Sequence, residues 1–161
     1  MEFHPYKVCN RWSCDVLSEK GFLSILIDIG TDEPIRIINT HLQSSDYERF
    51  DKKAIRQLNQ LLLYVSKIKC PYILGGDFNL DQSLLTMPVS FSNDPTVYID
   101  FTKGTTSATY QPGYEGLCFD YFMHSKLLLD KPVVLKSTFS DHQPVTTRFT
   151  IKEKQIEKDV T

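Results

Sequence analysis

Apolar residues in this chain run mostly in short clusters, and only one stretch repeats them at helical spacing. Residues 22–29 form a Leu- and Ile-rich run that ends in the turn formers Gly30-Thr31-Asp32-Glu33-Pro34. Residues 35–42 resume it with β-branched Ile35, Ile37 and Ile38, so the two runs predict an antiparallel hairpin. The period then changes. Phe50, Ala54, Leu58, Leu61, Leu62 and Val65 recur at intervals of three and four, which predicts a helix with one apolar face. Ser45 followed by Glu48 is a capping-box pattern at its start, and Pro71 stops it. Short strands are predicted over 72–75, 119–124, 132–137 and 144–149. Residues 80–94 read as a loop with one helical turn, and 96–101 as a short strand or an irregular segment.

Residues 1–20 show no clear periodicity and read as an irregular lead-in. Residues 151–161 are charged, lack an apolar stripe and read as a frayed tail. Between them, 21–150 is a single domain of α+β class: a layered β-sandwich with a flanking helix and its site at one rim. The 161 residues suffice for a sizeable core, and 41% apolar with 24% charged residues is ordinary globular composition. A formal charge of −2 argues against a generally basic chain that coats nucleic acid, though a local basic patch stays compatible. One such cluster, Arg49, Lys52, Lys53 and Arg56, crowds the start of the helix. It reads as a solvated face in preference to a phosphate or membrane-surface patch.

No apolar run approaches the ~20 residues of a membrane span. The amino end shows no signal-peptide pattern, so a cytoplasmic location is expected, with export left open. Cys9, Cys14, Cys70 and Cys118 form no C-x-x-C pair. Free thiols in a reducing compartment are the preferred reading. A zinc site from His4, Cys9 and Cys14 lacks a fourth ligand, and a Cys9–Cys14 disulfide would suit only an exported protein.

Candidate chemistry gathers at strand ends. In Gly75-Gly76-Asp77-Phe78-Asn79, alternation sends Asp77 and Asn79 to one side and turns Phe78 into the core. A carboxylate there can bind a hard cation or orient water, and a carboxamide can donate to a phosphate oxygen. An Asx turn after a strand is the bland alternative. Ser140-Asp141-His142 sets two titratable groups in a loop between predicted strands. An imidazole acts best as acid or base when a carboxylate fixes its tautomer, and Asp120, in the apolar context Phe119-Asp120-Tyr121, is the candidate partner of His142. A structural salt bridge between the two is the alternative. His41, at the end of Asn39-Thr40-His41, could stabilise charge on phosphoryl oxygens. His4 and His124 have no comparable setting.

The ordered set T-H-L-Q, G-D-F-N, D-Y-F and S-D-H, spanning residues 21–149, resembles the endonuclease/exonuclease/phosphatase superfamily, the deoxyribonuclease-like metal-dependent phosphohydrolases. Within it the likeness is greatest to neutral sphingomyelinases. Lys20-Gly21-Phe22-Leu23, Arg56-Gln57 and Ala108-Thr109-Tyr110 extend that likeness. The resemblance implies that Asp77 positions the attacking water and that Asn79 holds that network or a phosphate oxygen. It implies that His142 is general base or phosphate contact oriented by Asp120, and that His41 contacts the scissile phosphate or assists the leaving group. Asp141, with Asp77, would lie in or near a divalent-metal site holding Mg²⁺ or an ion such as Mn²⁺. The family pattern also has an amino-terminal half with an early Asn and a metal-binding Glu. It finds no counterpart here, Glu2 and Glu19 lying in the wrong context.

The chain is thus expected to be a metal-dependent phosphodiester hydrolase lacking its N-terminal half, sphingomyelin phosphodiesterase-like in the finer reading. A nuclease or inositol-phosphate phosphatase, and a non-catalytic remnant serving as a binding module, are the alternatives. Its expected partners are a phospholipid or nucleic-acid phosphodiester and a second copy or separate chain that supplies the missing half.

Overall fold

The computed structural model describes residues 1–7, 20–44, 52–80, 119–125, 127–130, 132–136, 139–140 and 142–151. Its centre is a mixed five-stranded sheet in the order β1 (Glu2–Pro5), β2 (Gly21–Ile27), β3 (Ile35–His41), β4 (Tyr72–Asp77), β5 (Asp120–Ser125). Every neighbouring pair is antiparallel except β3 and β4. Parallel neighbours need a crossover, and α1 (Lys52–Val65) provides it. Two smaller antiparallel pairs follow: β6 (Leu127–Leu129) with β9 (Phe149–Ile151), and β7 (Val133–Val134) with β8 (Val145–Thr146).

The predicted apolar stripe of α1 is the face that packs. Ala54, Leu58, Leu61, Leu62 and Val65 are buried, and they meet Phe22, Ile38, Leu74, Tyr121 and Met123 from one side of the sheet. Alternation assigns the opposite side to Leu23, Asn39, Gly75 and Phe122 in one row, and Ile25, Ile37, Ile73 and His124 in the next. Phe149 of β9 covers this side near β5, its ring set edge-on 5.8 Å from Phe122 and 5.9 Å from His124. Towards β1 and β2, Phe3, Leu23, Ile25 and Ile27 are exposed.

Several expectations change. Residues 2–5 of the expected irregular lead-in form β1. The segment is too short to show a period, and it becomes a strand through its ladder with β2 and the Tyr6–Thr40 hydroxyl bond of 2.6 Å. The strand expected to reach residue 29 ends at Ile27, because Asp28 accepts the Gly30 N–H in an Asx turn with Gly30 at φ 76°. The helix ends at Val65, before Pro71 is reached. The strand expected over 132–137 shrinks to β7, and that over 144–149 splits between β8 and β9 in different sheets. There Asp130 takes part in bonds from its N–H to Arg148 O and from the Thr147 hydroxyl to its own carbonyl, which pull the chain across to β6, a strand the sequence pattern did not announce. Ile151, expected in the tail, closes β9. The Ser45–Glu48 cap, Phe50, residues 81–118 and the tail beyond 151 lie outside the described residues.

Gly76 sets the approach of β3 to β4. It has φ 141°, and a Cβ there would run into the Thr40 carbonyl. Gly30 also has positive φ, but open space surrounds its missing Cβ. Gly30→Ala is therefore expected to cost about 1 kcal/mol, from backbone strain alone, and Gly76→Ala more than about 2 kcal/mol. Denaturant midpoints of the two variants check this; equal losses would show that the Thr40 contact does not set the strand spacing.

Candidate functional site

The ladder brings three ends together. His41 is the Cα partner of Asp77 across the parallel β3/β4 pair, and Asp77 is the partner of Asp120 across the antiparallel β4/β5 pair. These residues form one row at the rim of the sheet, continuing the face that α1 does not cover. The β7/β8 hairpin closes with the Leu135 N–H to Pro144 carbonyl bond, and its loop returns through His142 to the same rim.

His142 joins the row. Its Nδ1 lies 2.8 Å from Asp120 Oδ2. An ionised carboxylate only accepts, so Nδ1 carries the proton in this pair and the lone pair of neutral imidazole sits on Nε2. That Nε2 faces Asp77 Oδ2 at 3.8 Å, and His41 Nε2 approaches the same oxygen at 3.4 Å. Asn79, at φ 48°, adopts the left-handed backbone that Asn tolerates. Its N–H donates to Asp77 Oδ1 at 2.8 Å, and its Nδ2 donates to the Leu42 carbonyl at 3.0 Å and to Asp77 Oδ2 at 3.3 Å. The amide of Asn79 is thus turned inward, with its donors spent on Asp77 and the end of β3. Phe78 is fully buried, as the alternation required, and sets its ring edge-on to Tyr121.

The electrostatics centre on Asp77. Burial raises its pKa and the negative charge of Asp120 adds to the rise, while the Asn79 N–H and the two imidazoles oppose it. The side chains of Asp77, Asp120 and His142 are 14%, 22% and 25% exposed, against 58% for His41. The Asp77, Asp120 and His142 side chains are thus partly desolvated, where their mutual interactions are strong.

His41, Asp77, Asn79, Asp120 and His142 therefore lie together despite their separation in sequence. Asp141 lies outside the described residues. A recess of about 380 Å³ opens beside the row, reaching Asn39, Gly75, Asp120, Phe122, His142 and Gln143. A second recess of about 280 Å³, between β1 and α1, lies on the helix side of the sheet. His4 and Lys67 line it, and the His4 Nε2 lies 3.5 Å from the Glu2 carboxylate.

Among the described residues no three His, Cys, Asp or Glu side chains gather closely enough to hold a metal ion. The described donor that suits a hard cation is the Asp77 carboxylate, and Mg²⁺ commonly uses only one or two carboxylates. The raised pKa of Asp77 beside Asp120 fits such a role, since two crowded carboxylates are relieved by a cation.

Three contacts in and around the row were given no role in the sequence reading. Ser140 Oγ accepts the His142 N–H at 3.1 Å, Tyr121 donates its hydroxyl to the Leu80 carbonyl at 3.2 Å, and Gln57 accepts the Gln43 N–H at 2.8 Å. For Gln57 a signal existed, a carboxamide inside the apolar stripe of α1.

No family model matches the chain, and no curated protein matches it. Solved structures do. The beta toxin of Staphylococcus aureus superposes with a TM-score of 0.59 at 20% identity, over 90% of this chain and 62% of the toxin structure. TDP2 of D. rerio, complexed with a single-strand DNA product, gives 0.63 at 14%, over 92% and 66%. An endonuclease/exonuclease/phosphatase family protein of Bacteroides thetaiotaomicron gives 0.55 at 18%, over 82% and 54%. The chain thus spans roughly three-fifths of these structures' length. The mixed sheet, its covering helix and the smaller β-layers are those of the endonuclease/exonuclease/phosphatase fold, of which this chain carries part.

Proposed function

We propose that the row is the site of a metal-dependent phosphodiester hydrolase. The observation that carries this is the imidazole of His142 set between two carboxylates, with Nδ1 on Asp120 and Nε2 towards Asp77. Asp120 holds the tautomer in which Nε2 can take a proton from an attacking water or contact a phosphate oxygen. Asp77 positions that water, and Asn79 keeps the Asp77 carboxylate fixed through two donors. The exposed His41 imidazole, in its protonated form, stabilises charge on the phosphoryl oxygens or assists the leaving group.

Asp77, with Asp141, the residue before His142 in the sequence, would hold a divalent cation. Mg²⁺ or Mn²⁺ at that place would neutralise phosphate charge and polarise the P–O bond. A beta toxin variant of similar fold is described with bound magnesium ions, which supports this choice for the present chain. The motif likeness to neutral sphingomyelinases favours a phospholipid phosphodiester; TDP2, described with a single-strand DNA product, supports a nucleic-acid substrate as the second reading. With the family's early Glu unmatched, the chain alone should turn over slowly.

Two outcomes are expected. The purified chain, assayed on a generic phosphodiester and on sphingomyelin, should show weak turnover with Mg²⁺ that chelator abolishes. Asp120→Asn should fold normally and reduce it by roughly 10²-fold or more. Turnover indifferent to chelator or to Asp120→Asn would overturn the reading, and binding without turnover would favour the non-catalytic module.

Asp77 has a raised pKa when folded, so its ionisation works against the fold. The stability of the protonated form is fully present below the unfolded carboxyl's pKa of about 3.9 and is lost as pH rises through the folded value. Asp77→Asn should therefore stabilise the chelator-treated protein at pH 7 while abolishing turnover. Melting curves from pH 3 to 8 should show the two proteins converging at the acid end.

The exposed apolar group Phe3, Leu23, Ile25 and Ile27 flanks a face that Phe149 already seals nearer β5. In the isolated chain we expect a second copy to continue that cover. Sedimentation velocity should show concentration-dependent association, and Ile25→Lys should remove it without lowering the melting temperature.

A further inference from the structure

We infer that Gln57, on the buried side of α1, is a positioning residue for His41, holding the backbone just beyond the imidazole through the amide of Gln43. The inference rests on the reading of the row as a phosphodiesterase site and adds a residue to it from outside the row.

Gln57 sits where the stripe of α1 calls for an apolar side chain, between Ala54 and Leu61, and it is 1% exposed. A carboxamide so deep in a core is tolerated only when hydrogen-bonded. Its Oε1 accepts the Gln43 N–H at 2.8 Å. Gln43 is also 1% exposed, and it lies beyond the last residue of β3, where the ladder with β4 has ended. The acceptor for this buried amide comes from the helix, not from a strand.

The neighbouring residue is held from the other side. The Leu42 N–H donates to the Asp77 carbonyl at 2.9 Å, and the Leu42 carbonyl accepts from Asn79 Nδ2 at 3.0 Å. Residues 42 and 43 are thereby fastened at three points, two on the β4 end and one on α1. Leu42 itself is fully buried. This stretch follows directly on His41, whose side chain is 58% exposed and whose contact with Asp77, at 3.4 Å, is long for a charge-assisted hydrogen bond. Such a ring takes little direction from its own contacts and must inherit it from the backbone. The β3 ladder fixes the backbone on one side of His41; the clamp fixes it on the other. Gln57 can do so because α1 is anchored through Leu58, Leu61 and Leu62, so its Oε1 is presented from a rigid element.

The test compares Gln57→Met, which keeps length and helix propensity but loses the acceptor, with Gln57→Glu, which keeps an acceptor oxygen. Amide exchange and imidazole signals are read by NMR on the labelled 161-residue chain. In Gln57→Met, exchange of the Gln43 amide should accelerate about tenfold while amides in the middle of α1 stay within about twofold. The His41 ring signals should shift or broaden, those of His142 should not, and Gln57→Glu should restore His41. Where turnover is measurable, Gln57→Met should lower kcat severalfold and leave KM unchanged. Unaltered His41 signals in Gln57→Met, or acceleration of all α1 and β4 amides together with Gln43, would overturn the inference by leaving Gln57 no role or a purely structural one. If the phosphodiesterase reading itself fails, the parent chain will lack metal-dependent turnover, while the exchange and imidazole results will still decide whether Gln57 positions His41.

Discussion

The close contact between the Gly76 backbone and the Thr40 carbonyl is the constraint on which the rest of the site depends. Only a residue without Cβ fits there, and the fit holds β3 and β4 in the register that sets His41 opposite Asp77. A slip of one residue would turn every side chain of one strand to the other face, burying the imidazole under α1 and lifting Ile38 out of the core. Gly75 contributes differently. A Cβ there would touch the Phe122 ring at 3.0 Å, so its absence lets that ring lie across β4 and meet Phe149. Two adjacent glycines thus set strand spacing on one side and layer packing on the other.

The row is an arrangement of charges that oppose and relieve one another. Asp77 and Asp120 face each other across one register step, and the Asn79 N–H, with the two imidazoles, offsets that crowding. The core beneath carries none of this tension. Leu58, Leu61, Leu74 and Met123 pack together, the buried Gln57 accepts a hydrogen bond from the Gln43 N–H, and the buried hydroxyls of Tyr6 and Thr40 answer each other. A stable, apolar helix–sheet layer is what allows a rim of crowded carboxylates to persist.

What the sequence disclosed follows from the range of the signals. The stripe of α1, the β2/β3 hairpin and the burial of Phe78 are local periodicities, and they were legible. The site motifs were legible as motifs because i and i+2 on a strand share a side. Their convergence needed the β3/β4/β5 register, which no local pattern contains. Short elements were lost for the same reason. β1 and β6 have three or four residues each, too few for a period, and they exist through partners far away in sequence. The break of 144–149 into two strands depends on Asp130, outside that segment altogether. Gln57 was visible as an exception to its own helix's pattern, but its meaning lay in Gln43, two residues beyond the end of β3.

The antiparallel pairing of β4 with β5 has a consequence for how the molecule comes together. β2, β3, α1 and β4 follow one another closely, and their contacts close short loops. Asp120 reaches Asp77 only after the long connection over residues 78–119 has been closed, and His142 only after the β7/β8 hairpin has also docked. Loop closure of that kind is entropically unfavourable and slow compared with local pairing. The β2, β3, β4 and α1 part of the core closes through short connections, while Tyr121 and Met123 join it together with Asp120 when β5 pairs. Asp120 and His142 are thus the members of the row whose placement closes the longest loops, and the row is completed by the same pairing of β5 that completes the core.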